Sequence, residues 1–133
     1  MLPVTSGTGA AVAETRCRPR SRPTEGRPCE PVLLSTSYLP APPVEGSAIT
    51  RPDAGPGGIY ARLAELGYGP LHFREEIRSR MPLPEEVAKL RLPAGTPVML
   101  ICRTAFAAEG RVVEVNEMVL DTAAYVLEYD FDA

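Results

Sequence analysis

The chain has 133 residues, of which 44% are hydrophobic and 23% are charged, and its formal net charge is −3. This length and composition fit one domain with a hydrophobic core and exclude an intrinsically disordered chain. No apolar run approaches the length of a membrane span, and a pI near 5.2 argues against a module that grips nucleic acid by overall positive charge.

The beginning of the chain predicts little regular structure. Residues 1–13 are expected to form a flexible lead-in, and residues 14–133 a single domain. Four arginines then stand at alternate positions, which in an extended segment places their guanidinium groups on one side. They are Arg16, Arg18, Arg20 and Arg22.

The middle of the chain alternates predicted strands and helices. Residues 31–40, PVLLSTSYLP, predict a strand in which Ser35 and Ser37 share a face. Residues 57–67 predict a short helix with Ile59, Leu63 and Leu66 at helical spacing on one apolar face. Residues 70–82 predict a strand with apolar side chains on one face and charged ones on the other, and residues 84–92 predict a second helix.

The last third of the chain predicts a hairpin and a final strand. Residues 97–106 and 111–120 are two β-rich runs joined by a short loop that contains glycine. Residues 125–131, YVLEYDF, alternate apolar and polar side chains and predict one more strand. Strands linked by hairpins as well as by helices indicate a largely antiparallel α+β domain.

Residue types and spacing favour binding over catalysis. The single histidine, His72, lies on a charged strand face, so a catalytic pair that uses it is disfavoured, and no phosphate-binding or metalloprotease motif is present. Three cysteines without CxxC spacing predict no metal site, no cofactor and reduced thiols in the cytoplasm. Arginines, hydroxyls and carboxylates on shared strand faces are suited to a small polar ligand, although solvated faces with surface ion pairs are the simpler interpretation.

The order of the motifs resembles the UTRA domain, the effector-binding domain of GntR-type bacterial transcription regulators of the HutC subfamily. The resemblance covers about residues 14–131. The matching pieces are STSYLP (35–40), GGIYARLAELG (57–67), the run from Glu75 to Phe106, and the ending from Glu109 to Phe131.

The resemblance implies a chorismate-lyase-like α+β fold and no enzymatic activity. It further implies a homodimer that senses a small anionic metabolite, such as a carboxylate or a sugar phosphate, without contact with a membrane. DNA would be bound only by an N-terminal winged helix-turn-helix domain that these 133 residues do not contain.

The family pattern also implies ligand-binding positions. Members that bind phosphorylated amino sugars use two alternate arginines, here Arg16 and Arg18 or, with a shifted gap, Arg20 and Arg22. The start of the helix, the acid on the penultimate strand and a cleft-lining strand supply further contacts. The corresponding residues here are Gly58, Ile59, Tyr60, Glu114, Glu76 and Arg80, and Ser37 shares its face with Ser35. Ser35 and Leu120 replace an acid and a tyrosine of those members, which disfavours an amino-sugar phosphate.

Two other functions remain open at this stage. An enzyme of the chorismate-lyase-like fold acting on a small carboxylate would also use arginine and glutamate. A ligand-free dimerisation module would pair apolar strands such as 97–106 edge to edge or pack them across a two-fold axis.

Overall fold

The computed structural model describes residues 9–17, 30–40 and 58–133. Within these ranges the chain forms five strands, two α-helices and a 3₁₀ turn. In chain order they are β1 (Gly9–Cys17), β2 (Pro31–Pro40), α1 (Gly58–Glu65), β3 (His72–Arg80), α2 (Pro84–Leu90), β4 (Val98–Phe106), the 3₁₀ turn Ala108–Gly110 and β5 (Val112–Asp121).

The five strands form one sheet in the order β1-β2-β5-β4-β3. Every neighbouring pair is antiparallel. The predicted α+β class and the β4–β5 hairpin are therefore confirmed. Edge-to-edge pairing of β4 with another chain is ruled out, because both of its sides are already bonded to β3 and β5.

Both faces of the sheet are covered, each by different segments. One face carries Arg103 and Glu114 and is called the site face below. At one end of it, Leu63 of α1 is fully buried against Leu39 and Val113. At the other end, Tyr125 and Leu127 pack on a second apolar cluster made by Leu33, Ile101 and Leu120.

The opposite face, called the α2 face below, packs against α2 and the turn that follows it. Leu90, Leu92 and Val98 form the buried cluster there. Helix α2 starts at a proline, which has no backbone N–H to leave unpaired, and its C-cap Arg91 adopts a left-handed conformation with φ 52°. Leu90 is 3% exposed, so this helix contributes directly to the buried cluster.

Three expectations about local structure are corrected. Strand β1 begins at Gly9, so residues 9–13 pair with β2 rather than belonging to a flexible lead-in, and residues 1–8 lie outside the described residues. Residues 125–131 form no strand, because this segment crosses the site face and packs its alternate side chains on the sheet instead of joining its edge. Leu66 is 41% exposed, since α1 ends at Glu65 and the chain turns away.

Strand β3 keeps its predicted alternation but buries little. Its apolar residues Phe73 and Ile77 are each 44% exposed, because β3 lies at the edge of the sheet and has a hydrogen-bonded neighbour on one side only. In the part of the chain that the structure describes, no helix has the length and apolarity that crossing a membrane requires.

Candidate functional site

A ladder of polar side chains crosses the site face between β2 and β5. Asn116 lies opposite Ser37 in the antiparallel register. Its Nδ2 donates to Ser37 Oγ at 2.7 Å, and its Oδ1 accepts from Ser35 Oγ at 3.1 Å. The two serines predicted as ligand contacts are therefore tied to β5 through one amide.

Glu114 lies one step further along β5 and is only 2% exposed. Its Oε1 is buried and has no hydrogen-bond partner. Tyr60 reaches this carboxylate from α1, and the pKa of its phenol is raised to about 12, first by burial and then by the negative charge of Glu114 and the hydrogen bond to it. A buried carboxylate oxygen left without a donor is costly and rare in folded proteins, which marks this position for a role other than stability.

Arg103 of β4 lies between Glu114 and the edge strand. Its Nε donates to Glu75 Oε1 at 2.7 Å, and it also bonds the Tyr60 hydroxyl. The Tyr129 hydroxyl donates to Glu75 Oε2 at 2.5 Å. Hydrogen bonding from Tyr129, together with the Arg103 guanidinium, holds the pKa of Glu75 below its usual value, although partial burial acts in the opposite direction.

A groove of about 410 Å³ opens beside this network, under the segment that follows β5. Its volume is within the range of small-molecule sites, about 300–1,000 Å³. Arg103 and Glu75 form its polar end. Its other lining residues are Leu33, Ile101, Met118, Leu120, Tyr125, Val126, Leu127, Glu128 and Tyr129.

Several residues expected at the site do converge. Ser35, Ser37, Tyr60 and Glu114 all belong to the site face or to the helix above it. Gly58 begins α1 with φ +68°, a conformation that favours glycine, while Ile59 packs into the core cluster below the helix. Arg16 lies in β1 opposite Leu33, but its side chain and all of Arg18 lie outside the described residues, as do Arg20 and Arg22.

The placement of Glu76 and Arg80 corrects the expectation that they line the same cleft. Side chains alternate along β3, and Glu75 is bonded to Arg103 on the site face, so Glu76 and Arg80 point to the α2 face. Arg80 there forms an ion pair with Glu86 of α2, with an Nη1–Oε1 distance of 2.7 Å. Its guanidinium holds helix to strand rather than facing a ligand.

Arg103, Glu75 and Tyr129 are site residues that the sequence reasoning missed. The hairpin prediction contained a usable signal, because pairing residues 97–106 with 111–120 brings Arg103 opposite Asn116. Tyr129 had no such signal, since its contact with Glu75 depends on where the last segment crosses the sheet.

The residues at this site are hydrogen-bonding groups rather than a nucleophile with a base. His72 is exposed, and its ring lies 5.6 Å from that of Phe106 at the far end of β3. Among the described residues no group of three or more histidine, cysteine, aspartate or glutamate side chains is arranged to hold a metal ion. The arrangement is suited to holding a small ligand.

Comparison with known proteins agrees with this geometry. Residues 29–126 match the model of the UTRA domain. An uncharacterised HTH-type transcriptional regulator of Streptomyces coelicolor is 36% identical over 105 residues, which is 77% of this chain and 39% of that protein. The chain thus spans well under half the length of this curated relative.

Solved structures share the fold. The effector domain of PhnF from Mycobacterium smegmatis superposes with a TM-score of 0.69 at 22% identity, covering 77% of this chain and 62% of that one. The C-terminal domain of the histidine utilization repressor from Pseudomonas syringae gives a TM-score of 0.65 at 18% identity, covering 77% and 70%. At these identities the likeness concerns the fold alone.

Proposed function

Because the chain belongs to the UTRA domain family, we propose that it is the effector-sensing domain of a GntR-type transcription regulator. It binds a small metabolite on the site face, works as a homodimer in the cytoplasm, and acts on DNA through a winged-helix domain outside these 133 residues. Ligand binding then changes how the dimer presents its DNA-binding domains.

One observation carries this proposal: Glu114 and Arg103 meet at Tyr60 beside an open groove. The carboxylate is buried, and one of its oxygens accepts no hydrogen bond. The Arg103 side chain is 36% exposed and has donors beyond those that bond Glu75. Hydrogen-bonding groups held in place beside an apolar groove are the usual composition of a ligand site.

The effector is proposed to carry an anionic group. Arg103 is the arginine that the described structure offers for it, and Arg16 and Arg18 remain the proposed partners from β1 and the segment after it. One relative is named as a transcriptional regulator and one solved structure as a repressor, which supports sensing over the alternative of a lyase-like enzyme.

A metabolite screen by thermal shift tests the proposal. Carboxylates, phosphates and amino compounds are added to the 133-residue chain, and at least one is expected to raise the melting temperature in a saturable way. Arg103→Ala should abolish that response, whereas Arg74→Ala, an exposed arginine on the α2 face, should preserve it. A complete library without any stabilising compound would contradict the sensing function.

A further inference from the structure

The groove on the site face is apolar along most of its length. Leu33, Ile101 and Leu120 form its floor, and Leu127 covers it from the segment after β5. Burial of hydrocarbon is favourable at about 25 cal/mol per Å², so this floor favours a ligand with an apolar body. Sugars and other polyhydroxylated molecules would leave their hydroxyl groups without partners there.

The polar end of the groove is negative among the described side chains. Arg103 is the single cation there, and it is already paired with Glu75 at 2.6 Å. Glu114 lies next to it, and Glu128 is on the groove wall. Among the described side chains, the carboxylates of Glu75, Glu114 and Glu128 lie near one guanidinium, and this balance favours a positively charged group on the part of the ligand nearest Glu114.

Glu114 supplies the specific contact. Its Oε1 is buried without a hydrogen-bond donor, while the Tyr60 hydroxyl occupies the space between this carboxylate and Arg103. The Tyr60 ring is only partly buried and packs edge-on against Phe73, with 5.3 Å between ring centroids. Arg103 lines the groove, whereas Glu114 and Tyr60 lie behind it, so a ligand in the groove reaches the unpaired oxygen only when the Tyr60 ring turns aside.

We propose that the effector carries an ammonium group on an apolar body, with the ammonium bound to Glu114 and the body in the groove. This inference rests on the proposed sensing function and specifies its ligand class. The effector then carries both this ammonium and the anionic group proposed above. Glu114 would hold the ammonium, and the arginines would hold the anionic group. An ammonium donates three hydrogen bonds, one of which would satisfy Glu114 Oε1.

Three probes that have the same phenyl-terminated apolar chain and differ in their polar group test this assignment. 3-Phenylpropylamine, 3-phenylpropanol and 3-phenylpropanoate are titrated into the 133-residue chain, and dissociation constants are measured by amide chemical-shift changes in NMR. The amine is expected to bind more tightly than the alcohol. Glu114→Gln should weaken the amine by about tenfold, as for loss of a hydrogen bond to a charged group, and leave the carboxylate unchanged.

Two variants control the comparison. Glu117→Gln removes an exposed carboxylate from the same strand on the α2 face and should leave all three constants unchanged. Leu127→Ser shortens the apolar cover of the groove and should weaken all three probes together. If Glu114→Gln does not fold, the preference of the wild-type chain for the amine over the alcohol still decides the charge requirement.

The outcomes separate this inference from the proposed function. Amine binding that is absent, no tighter than that of the alcohol, or insensitive to Glu114→Gln overturns the ammonium assignment. In any of these cases a metabolite that stabilises the chain through Arg103 would still support sensing. Failure of the whole metabolite library would remove both.

Discussion

Glu114 is a buried carboxylate whose hydrogen bonding is incomplete. It is 2% exposed, and one carboxylate oxygen has no donor. This arrangement does not stabilise the fold, because a neutral side chain of the same size would cost less free energy to bury. The carboxylate therefore lowers the stability of the free domain, and under the proposal above a bound ligand would offset that cost.

Glu114→Gln is expected to raise the free energy of unfolding of the ligand-free chain by about 1 kcal/mol, since it removes a buried charge that is only partly satisfied. Denaturant titration measures the change. Glu117→Gln, exposed on the same strand, should stay within about 0.5 kcal/mol of the wild type. Destabilisation by Glu114→Gln would mean that the hydrogen bond from Tyr60 outweighs the cost of burying the charge.

Tyr60 predicts an alkaline stability limit. Its pKa is raised from 10.0 to about 12 in the folded chain, so between these values the folded state holds a proton that the unfolded state has lost. The contribution of Tyr60 is complete below pH 10 and decreases as the pH rises through 12. Between pH 10 and pH 12 the free energy of unfolding of Tyr60→Phe should therefore fall less than that of the wild type. Denaturant unfolding of both proteins at a series of pH values measures the difference. Equal losses in the two proteins would contradict the raised pKa.

The contact between strand β3 and helix α2 stabilises the fold and lies on the face opposite the proposed ligand site. Arg80 of β3 pairs with Glu86, which is 4% exposed, and Glu86 Oε1 also accepts from the backbone N–H of Leu83 at 3.2 Å. This carboxylate caps the first turn of α2 and fastens the helix to the sheet. Its loss therefore breaks two contacts at once.

Glu86→Ala is expected to lower the free energy of unfolding by about 3 kcal/mol, because it removes the cap and strands a partly buried guanidinium. Glu85→Ala, whose exposed carboxylate makes only a 3.4 Å contact with Lys89, should cost about 0.5 kcal/mol. Denaturant melts of both variants provide the comparison. Arg80→Ala should likewise reduce stability yet leave ligand affinity unchanged, which distinguishes it from Arg103→Ala.

At the scale of the whole molecule, the sheet has two edge strands, β1 and β3, and one face shared by two different covers. Helix α1 covers the end of the site face near Leu39, and the last segment covers the end near Leu33. The polar network from Tyr60 through Arg103 and Glu75 to Tyr129 connects these covers. A ligand that binds between them contacts both.

The proposed homodimer can be tested by measuring the mass of the protein in solution. Sedimentation equilibrium at micromolar concentration should give twice the 14.3 kDa mass of the chain. The exposed apolar side chains of the edge strand, among them Phe73 and Ile77, are consistent with further burial in an assembly. A monomer at these concentrations would contradict the dimeric part of the proposal.

Local patterns predicted most of the elements correctly. The prolines at 31 and 40 delimit β2, the short loop with Gly110 makes the β4–β5 hairpin, and Pro84 begins α2. These features depend on backbone restrictions of single residues and on side-chain periodicity, which are present in the sequence. The same periodicity correctly grouped Ser35 with Ser37, which both bond Asn116.

The composition of the site depended on the packing of distant segments. Glu75, Glu76 and Arg80 are all charged residues of one strand. Only the pairing of β3 with β4 shows that Glu75 meets Arg103 while Glu76 and Arg80 face α2. Residues 125–131 have the alternation of a strand, yet they cross the sheet because their apolar side chains find a floor at Leu33 and Ile101. Alternation specifies which side chains share a face, whereas the position of that face in the domain is set by long-range contacts that no local pattern encodes.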